Sequence, residues 1–584
     1  EYTTAGIRTV NLGTGTNSIT TAATYVTSAL TIAGGSGSDT LTISNTSGTL
    51  SFADADFTNL SNFETLNLGN GSDDTITLGG AEIIGAGFGV VNARGGNDSV
   101  TISAVTGLTS VDGGAGGSDT LTLSTANMSF TNLTISNFEN IIANETESLS
   151  GKLDSSVSAI TVASAKTLTV GAADFDGKPI TITANGNVII NATTTASDHD
   201  FGNITKIAGT GTITLNVAGD VDLSGHNLGA VSLISVATGK TLTLSDSQLA
   251  SISSVSGAGS VLVKVSGDSS TDFSTKLALT TPANETIQFT ASSTFSGTLG
   301  DSSVSIDSGV IVSASGSVID GKTISGAGTL KITGAGDGNL DLTNVSSLLT
   351  ADIDNAATTL NNLKVSLDAT NSSKDLTINE IANKSLTITG GDGNDTFNMS
   401  DGNDTVNLGN GNDTINVSMS NLTSADTITD TSGISDTLNV TGGGSIASTA
   451  FNVTGFENLN LSTGNDTVTF TDDQSFSTWT GKFGAINGNG TGDNDTLSFS
   501  SAVTADLDFS KLSNFETLSF SANDDTVTFG TDEFSSGIRT LNLGDGTNTA
   551  NLTANTTAQV TVNGGIGDDT FNLDFSRLSE SDYK

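Results

Sequence analysis

Apolar and polar residues alternate with a period of two in short bursts along this chain. Thr40-Leu41-Thr42-Ile43, Thr75-Ile76-Thr77-Leu78, Val100-Thr101-Ile102 and Thr241-Leu242-Thr243-Leu244 are typical. Threonine alternating with a branched apolar residue predicts a short strand with one buried face. Glycine, asparagine and serine punctuate the bursts and predict tight turns. No stretch carries a 3.6-residue apolar stripe of helical length, so the expected chain is nearly all β.

The bursts belong to longer repeats. Residues 390–416 read GGDGNDTFN, MSDGNDTVN and LGNGNDTIN in unbroken phase, which sets Asp395, Asp404 and Asp413 nine residues apart. The unit returns as GGSGSDTLT at 34–42 and GGIGDDTFN at 564–572, with looser copies at 68–76, 93–101, 114–122 and 461–469. A second motif accompanies it: LSNFETL at 60–66 and 512–518, ISNFENI at 135–141 and VTGFENL at 453–459. Asp119 and Phe138 stand 19 residues apart, while Asp436 and Phe456, like Asp495 and Phe515, stand 20 apart. Glu457 precedes Asp466 by nine residues, as Glu516 precedes Asp525. These spacings predict solenoid coils of roughly 18–20 residues, hence about 29 coils and on the order of 140 Å if straight. The expected fold is a right-handed parallel β-solenoid in several bent segments.

Gly6-Ile7-Arg8-Thr9-Val10-Asn11-Leu12-Gly13 matches Gly537-Ile538-Arg539-Thr540-Leu541-Asn542-Leu543-Gly544, so the two ends are built from one kind of module. The middle differs: 12 of the 15 lysines fall between Lys152 and Lys384, where no Gly-Asn-Asp-Thr unit occurs. Three segments are expected, with 1–150 and 386–584 rich in acidic repeats and 151–385 poor in them.

Composition narrows the function. The 584 residues carry 62 acids against 19 bases, a formal net charge of −43, no cysteine and two histidines. Such a charge repels phosphate backbones, which argues against nucleic-acid binding. Without cysteine there is no disulfide framework, zinc–thiolate site or cysteine nucleophile. No run of about 18 apolar residues exists to span a bilayer. The chain opens at Glu1-Tyr2-Thr3 without methionine or an apolar leader core, and reads as a processed product or a piece of something longer.

The nonapeptide G-G-x-G-x-D-x-U-x, with U a large apolar residue, has a chemical logic. Its glycines permit turns with positive φ and let carbonyls converge, while the aspartate supplies a hard anionic oxygen. Residues at U (Leu41, Phe397, Val406, Ile415 and Phe571) are expected to point inward. Stacked coils would bring aspartates to the 4.7–4.9 Å strand spacing, which like charges tolerate only around a cation. Ca²⁺ suits such a site because it takes several carboxylate and carbonyl oxygens in flexible geometry. Mg²⁺ demands stricter geometry, and Zn²⁺ prefers nitrogen or sulfur.

Residues 34–42, 390–416 and 564–572 resemble the calcium-binding repeats of RTX proteins, which type I systems secrete from Gram-negative bacteria. The remaining Thr/Ser/Ala/Gly-rich coils resemble RTX-related surface-layer proteins of the Caulobacter and Campylobacter kind. The resemblance implies a β-roll with Asp392, Asp395, Asp401, Asp404, Asp413, Asp568 and Asp569 as calcium ligands and Gly393, Gly402 and Gly411 offering carbonyls. Extended to the looser copies, it adds Asp39, Asp73, Asp74, Asp98, Asp119, Asp466, Asp495 and Asp525. Asn17 and Asn548 stand where aspartate is expected, so those turns bind no metal or form an asparagine ladder.

Other features read as architecture. Phe63, Phe138, Phe456 and Phe515 are expected as core plugs, with the neighbouring glutamates solvated or capping. His199 and His226 are expected at the surface, and Trp479 with Phe476 in the core. No G-x-S-x-G nucleophile elbow occurs, and aromatics make up only 5% of the chain, few for gripping sugar. The expectation is a non-enzymatic structural protein, secreted to the cell surface, that binds calcium and assembles with itself into a surface layer or filament. An anchoring lipopolysaccharide or other cell-surface glycan would be met through a region outside this sequence. The alternatives are a spacer or binding segment of a large RTX adhesin, and the repeat region of a secreted enzyme.

Overall fold

The computed structural model describes residues 6–573 except 28, 45–48, 194–199, 334–338, 347–349, 355–358, 491 and 554–558. His199 lies outside the described residues. The alternating bursts form strands that pair mostly in parallel and stack as a β-solenoid of about 25 turns, with 9% of residues helical. In most strands the apolar residues turn inward while threonine, serine or asparagine faces outward. Phe571, expected inward, is instead 42% exposed on Thr570–Leu573, a strand with no buried residue.

Contacts divide the chain into two compact units: Glu1–Val265 with Thr271–Ile287 and Gly300–Ser302, and Ser266–Ser270 with Gln288–Leu299 and Ser303–Lys584. Inside the first, Ile76, Val100, Leu121, Ile141, Ile160 and Ile182 align on six successive strands. Each is 1% exposed or less. Burial of one such side chain contributes about 1.5–3 kcal/mol, and a one-residue slip would turn the whole column outward. Inside the second unit, Phe397, Ile415, Leu438, Leu459, Ile486 and Leu512 form the equivalent column. Ile388, Val406, Ile428 and Val453 form another.

Strand pairing continues through both shifts in composition. Asn140–Ala143 pairs with Ala159–Val162 in the first unit, and Thr377–Glu380 with Thr396–Met399 in the second. Asn379, Asn398, Asn416, Asn439 and Asn460 form a side-chain amide ladder with rungs of 2.6–2.9 Å.

Coil length is less uniform than the repeats suggest. Thr396 pairs with Thr414, 18 residues on, but Thr467 pairs with Thr496, 29 residues on. The longer coil accommodates the helix Asp473–Thr480 between its strands. Because excursions at turns leave strand register intact, the chain makes about 25 coils rather than 29.

The F–E motifs also acquire a backbone reason. Phe63, Phe138, Phe456 and Phe515 are at most 2% exposed and plug the core, as expected. The residue before each phenylalanine is left-handed: Asn62 (φ 57°), Asn137 (58°), Asn514 (59°) and Gly455 (88°). Asparagine and glycine are the residues that adopt this conformation at least cost.

Candidate metal centre

Repeat aspartates join successive coils through the backbone. The Asp395 N–H donates to Oδ1 of Asp413 at 2.6 Å, and the Asp413 N–H to Oδ1 of Asp436 at 2.7 Å. The Asp436 N–H ends the run on Oε2 of Glu457 at 2.9 Å. In the first unit, Asp74 donates to Asp98, Asp98 to Asp119 and Asp119 to Glu139, at 2.6, 2.6 and 2.7 Å. Shorter ladders run from Asp466 through Asp495 to Glu516, and from Asp39 to Glu64. All four F–E glutamates therefore terminate a carboxylate ladder. Glu64 holds the register position of Asp39, since Thr40 pairs with Thr65, and its longer side chain meets the same backbone donor.

Two nonapeptides make one coil in the 390–416 block. Asp395 and Asp413 consequently share a ladder, while Asp404 lies on another: it accepts from the Leu386 N–H at 2.8 Å and donates its own N–H to Asp426 at 2.9 Å. Asp525 donates to Oδ1 of Asn548 at 2.9 Å, so this asparagine is a rung.

The second carboxylate oxygen divides the rungs into two kinds. In Asp74, Asp395 and Asp466 it accepts from a backbone N–H of the same turn, contributed by Gly69, Gly391 and Ser462 at 2.8–3.1 Å. In Asp39, Asp98, Asp119, Asp404, Asp413, Asp436 and Asp495 it is buried with no hydrogen-bond partner. Those seven residues are at most 1% exposed. An unpaired buried carboxylate costs several kcal/mol, and a proton or a cation relieves it. Burial pushes Asp98 and Asp495 up to about 7, and the charges of neighbouring rungs add to it. Burial likewise holds Asp395 and Asp404 at about 6. Neither of the ion pairs Lys166–Glu145 and Lys264–Asp222 involves a rung.

Two places gather three acids each. Asp413, Asp430 and Asp436 bring one ligand atom apiece within 4.8 Å of one another, as do Asp493, Asp495 and Glu516. The first trio is enclosed, at 0, 8 and 0% exposed. Burial raises the Asp413 carboxyl, and the charges of Asp395, Asp430 and Asp436 raise it further. Near Asp404 and Asp426, Glu380 receives the Ser400 N–H at 2.8 Å on one oxygen and keeps the other buried and unpartnered. Burial first, then those acids, push it up to about 8. Every donor at these places is an oxygen, which fits a hard cation such as Ca²⁺.

Asp39, Asp74, Asp98, Asp119, Asp395, Asp404, Asp413, Asp466, Asp495 and Asp525 are all buried on ladders. Asp73, Asp392, Asp401, Asp568 and Asp569 lie further out. Asp73 accepts from the Asn97 N–H, Asp401 from the Asn383 N–H and Asp392 from the Asn410 amide, at 2.6–2.8 Å. Asp569 accepts from Asn548, while Asp568 is exposed. At Gly393, Gly402 and Gly411 the coils touch so closely that a Cβ would stand within 2.2 Å of the carbonyl oxygen of Lys374, Lys384 and Gly393 respectively.

Sequence reasoning left out Asp426, Asp430, Asp436, Asp493 and the four glutamates as partners of these aspartates. The intervals Asp119–Glu139, Asp436–Glu457 and Asp495–Glu516, at 20, 21 and 21 residues, are one coil each and were the available signal. Asp430 has no such signal, because it sits in the degenerate turn Thr429-Asp430-Thr431-Ser432.

Fold and site together define a parallel β-solenoid with internal carboxylate ladders. No protein-family model matches the chain, and no curated protein matches it.

Proposed function

We propose that this chain is a structural calcium-binding protein of the cell surface that assembles with itself into a surface layer or filament. The observation that carries the proposal is the row of buried, unpartnered carboxylate oxygens on consecutive coils, brought together at Asp413, Asp430 and Asp436. Calcium held there would convert repulsion between coils into cross-links, so binding to the native state favours folding. Where calcium is scarce, the acids oppose compaction and favour an exportable chain; at millimolar calcium outside the cell, folding follows secretion. A sheet edge left without a neighbouring strand is the element through which copies would pair.

Negative-stain imaging of the protein with calcium and with a chelator tests this reading. Calcium-dependent sheets or regular filaments are expected, and isolated particles at every calcium level would refute assembly. Replacing Asp395, Asp404 and Asp413 together by alanine tests the metal: calcium-dependent thermal stability must fall. If that stability were unchanged, the calcium assignment would be wrong.

A further inference from the structure

We infer that Asp493, Asp495 and Glu516 form a second kind of cation site, at the wall of a cleft, that takes Ca²⁺ with coordination positions left open. Asp495 is 0% exposed; its Oδ1 accepts the Asp466 N–H at 2.8 Å and its Oδ2 is buried without a partner. Both carboxylate oxygens of Asp493 are also buried without a hydrogen-bond partner. Glu516 spends Oε2 on the Asp495 N–H at 2.9 Å and thus serves as ladder terminus and ligand together. The three residues each place a carboxylate oxygen within 4.8 Å of the others.

Gly490 forms the cradle of this site. A Cβ there would stand 1.5 Å from Oδ2 of Asp493, so the carboxylate occupies space that only glycine leaves free. Burial first, with the charge of Asp493 adding to it, raises the Glu516 carboxyl; Arg539 opposes this weakly and directs Nη1 to the carbonyls of Phe534 and Ile538. Unlike the enclosed Asp413–Asp430–Asp436 trio, this site borders a cleft of about 550 Å³ lined by Thr463, Asn465, Asn489, Gly490, Asp493 and Asn514. Those walls carry amide and hydroxyl groups and no base. A cation with three carboxylates on the protein side completes its six to eight oxygen ligands from the cleft, with water or the oxygens of a ligand.

The choice of ion rests on the calcium reading above, but the residues lie outside the 390–416 repeats, so the two can fail separately. The test counts calcium bound by the full chain, by equilibrium dialysis and titration calorimetry, in wild type, Asp493→Asn, Gly490→Ala and Asp413→Asn. Asp493→Asn and Gly490→Ala are each expected to lose one ion, or to weaken it at least ~10-fold by removing or displacing one ligand charge. Asp413→Asn is expected to lose a different ion, so the Asp413→Asn/Asp493→Asn pair loses two. Asp493→Asn is nearly isosteric, and circular dichroism checks its fold should Gly490→Ala fail to fold. Unchanged binding in a folded Asp493→Asn would overturn this site while leaving the enclosed one standing. A loss in Asp493→Asn without one in Asp413→Asn would do the reverse.

Discussion

The ladders predict an unusual pH dependence for the metal-free protein. Burial, reinforced by neighbouring acids, raises Asp98 and Asp495 from 3.8 to about 7, and burial raises Asp395 and Asp404 from 3.8 to about 6. A group that binds its proton more tightly when folded contributes stability below its unfolded value near 4, and that stability is lost as pH rises through the folded value. At about 1.36 kcal/mol per pKa unit, Asp98 alone corresponds to roughly 4 kcal/mol, a large part of an ordinary domain's 5–15 kcal/mol. The opposite class does not mask this. Asp401, held down by the Asn383 N–H, and Asp341, held down by the Thr343 hydroxyl, change stability only below pH 4. Thermal unfolding followed by circular dichroism in chelator should therefore show Tm falling from pH 5 to 8, by at least ~5 °C at about 1 °C per kcal/mol for a chain of this length. With calcium in excess the slope should vanish or reverse, because the cation takes the place of the protons it displaces. A chelated Tm that is flat or rising over the same range would refute the picture of desolvated, unpaired rungs.

Asp413→Asn keeps an oxygen for the Asp395 N–H and removes a buried charge; the chelated protein should melt higher while the gain from calcium shrinks. Asp413→Ala instead strands that N–H and should lower the chelated stability by about 1–3 kcal/mol in urea unfolding. Gly411→Ala forces a side chain onto φ +136° with its Cβ 2.1 Å from the Gly393 carbonyl oxygen. It should cost at least ~2 kcal/mol, read as a lower urea midpoint. Phe470 meets the rings of Phe476, Trp479 and Phe499, each at 5.2 Å. Phe470→Ala should cost about 3–5 kcal/mol and shift the emission of the buried Trp479 to the red.

Much of this architecture is legible in the sequence because it is local. A period of two sets each strand face, and the repeated Asp-Thr-apolar step sets the register, so that Thr396 meets Thr414 and Phe397 meets Ile415. What escapes a linear reading is the coil closing through unequal turns. Asp404 separates from Asp413 because nine residues are half a coil there, whereas Asp430 reaches Asp413 from a turn with no repeat signature. The glutamate of the F–E motif reads in the sequence only as a solvated or capping group. That its partner is an aspartate backbone one coil earlier follows only from the pairing of Thr40 with Thr65 and its counterparts.

The asparagine rung separates what the ladder needs from what its charge does. Asn548 accepts the Asp525 N–H at 2.9 Å and is itself 0% exposed, so a neutral side chain fulfils the architectural role in the same surroundings. Asp98, Asp413 and Asp495 accept equivalent bonds at 2.6–2.8 Å, yet each also carries an unpartnered oxygen into the interior. That oxygen adds nothing to coil stacking and opposes it when ionised. Its presence on so many rungs supports the cation proposal, since an ion between coils is the one occupant that turns the surplus charge into cohesion. The net charge then divides in two: outer acids such as Asp73 and Asp392, paired to backbone or amide donors, and inner acids whose ionisation is tied to what they bind.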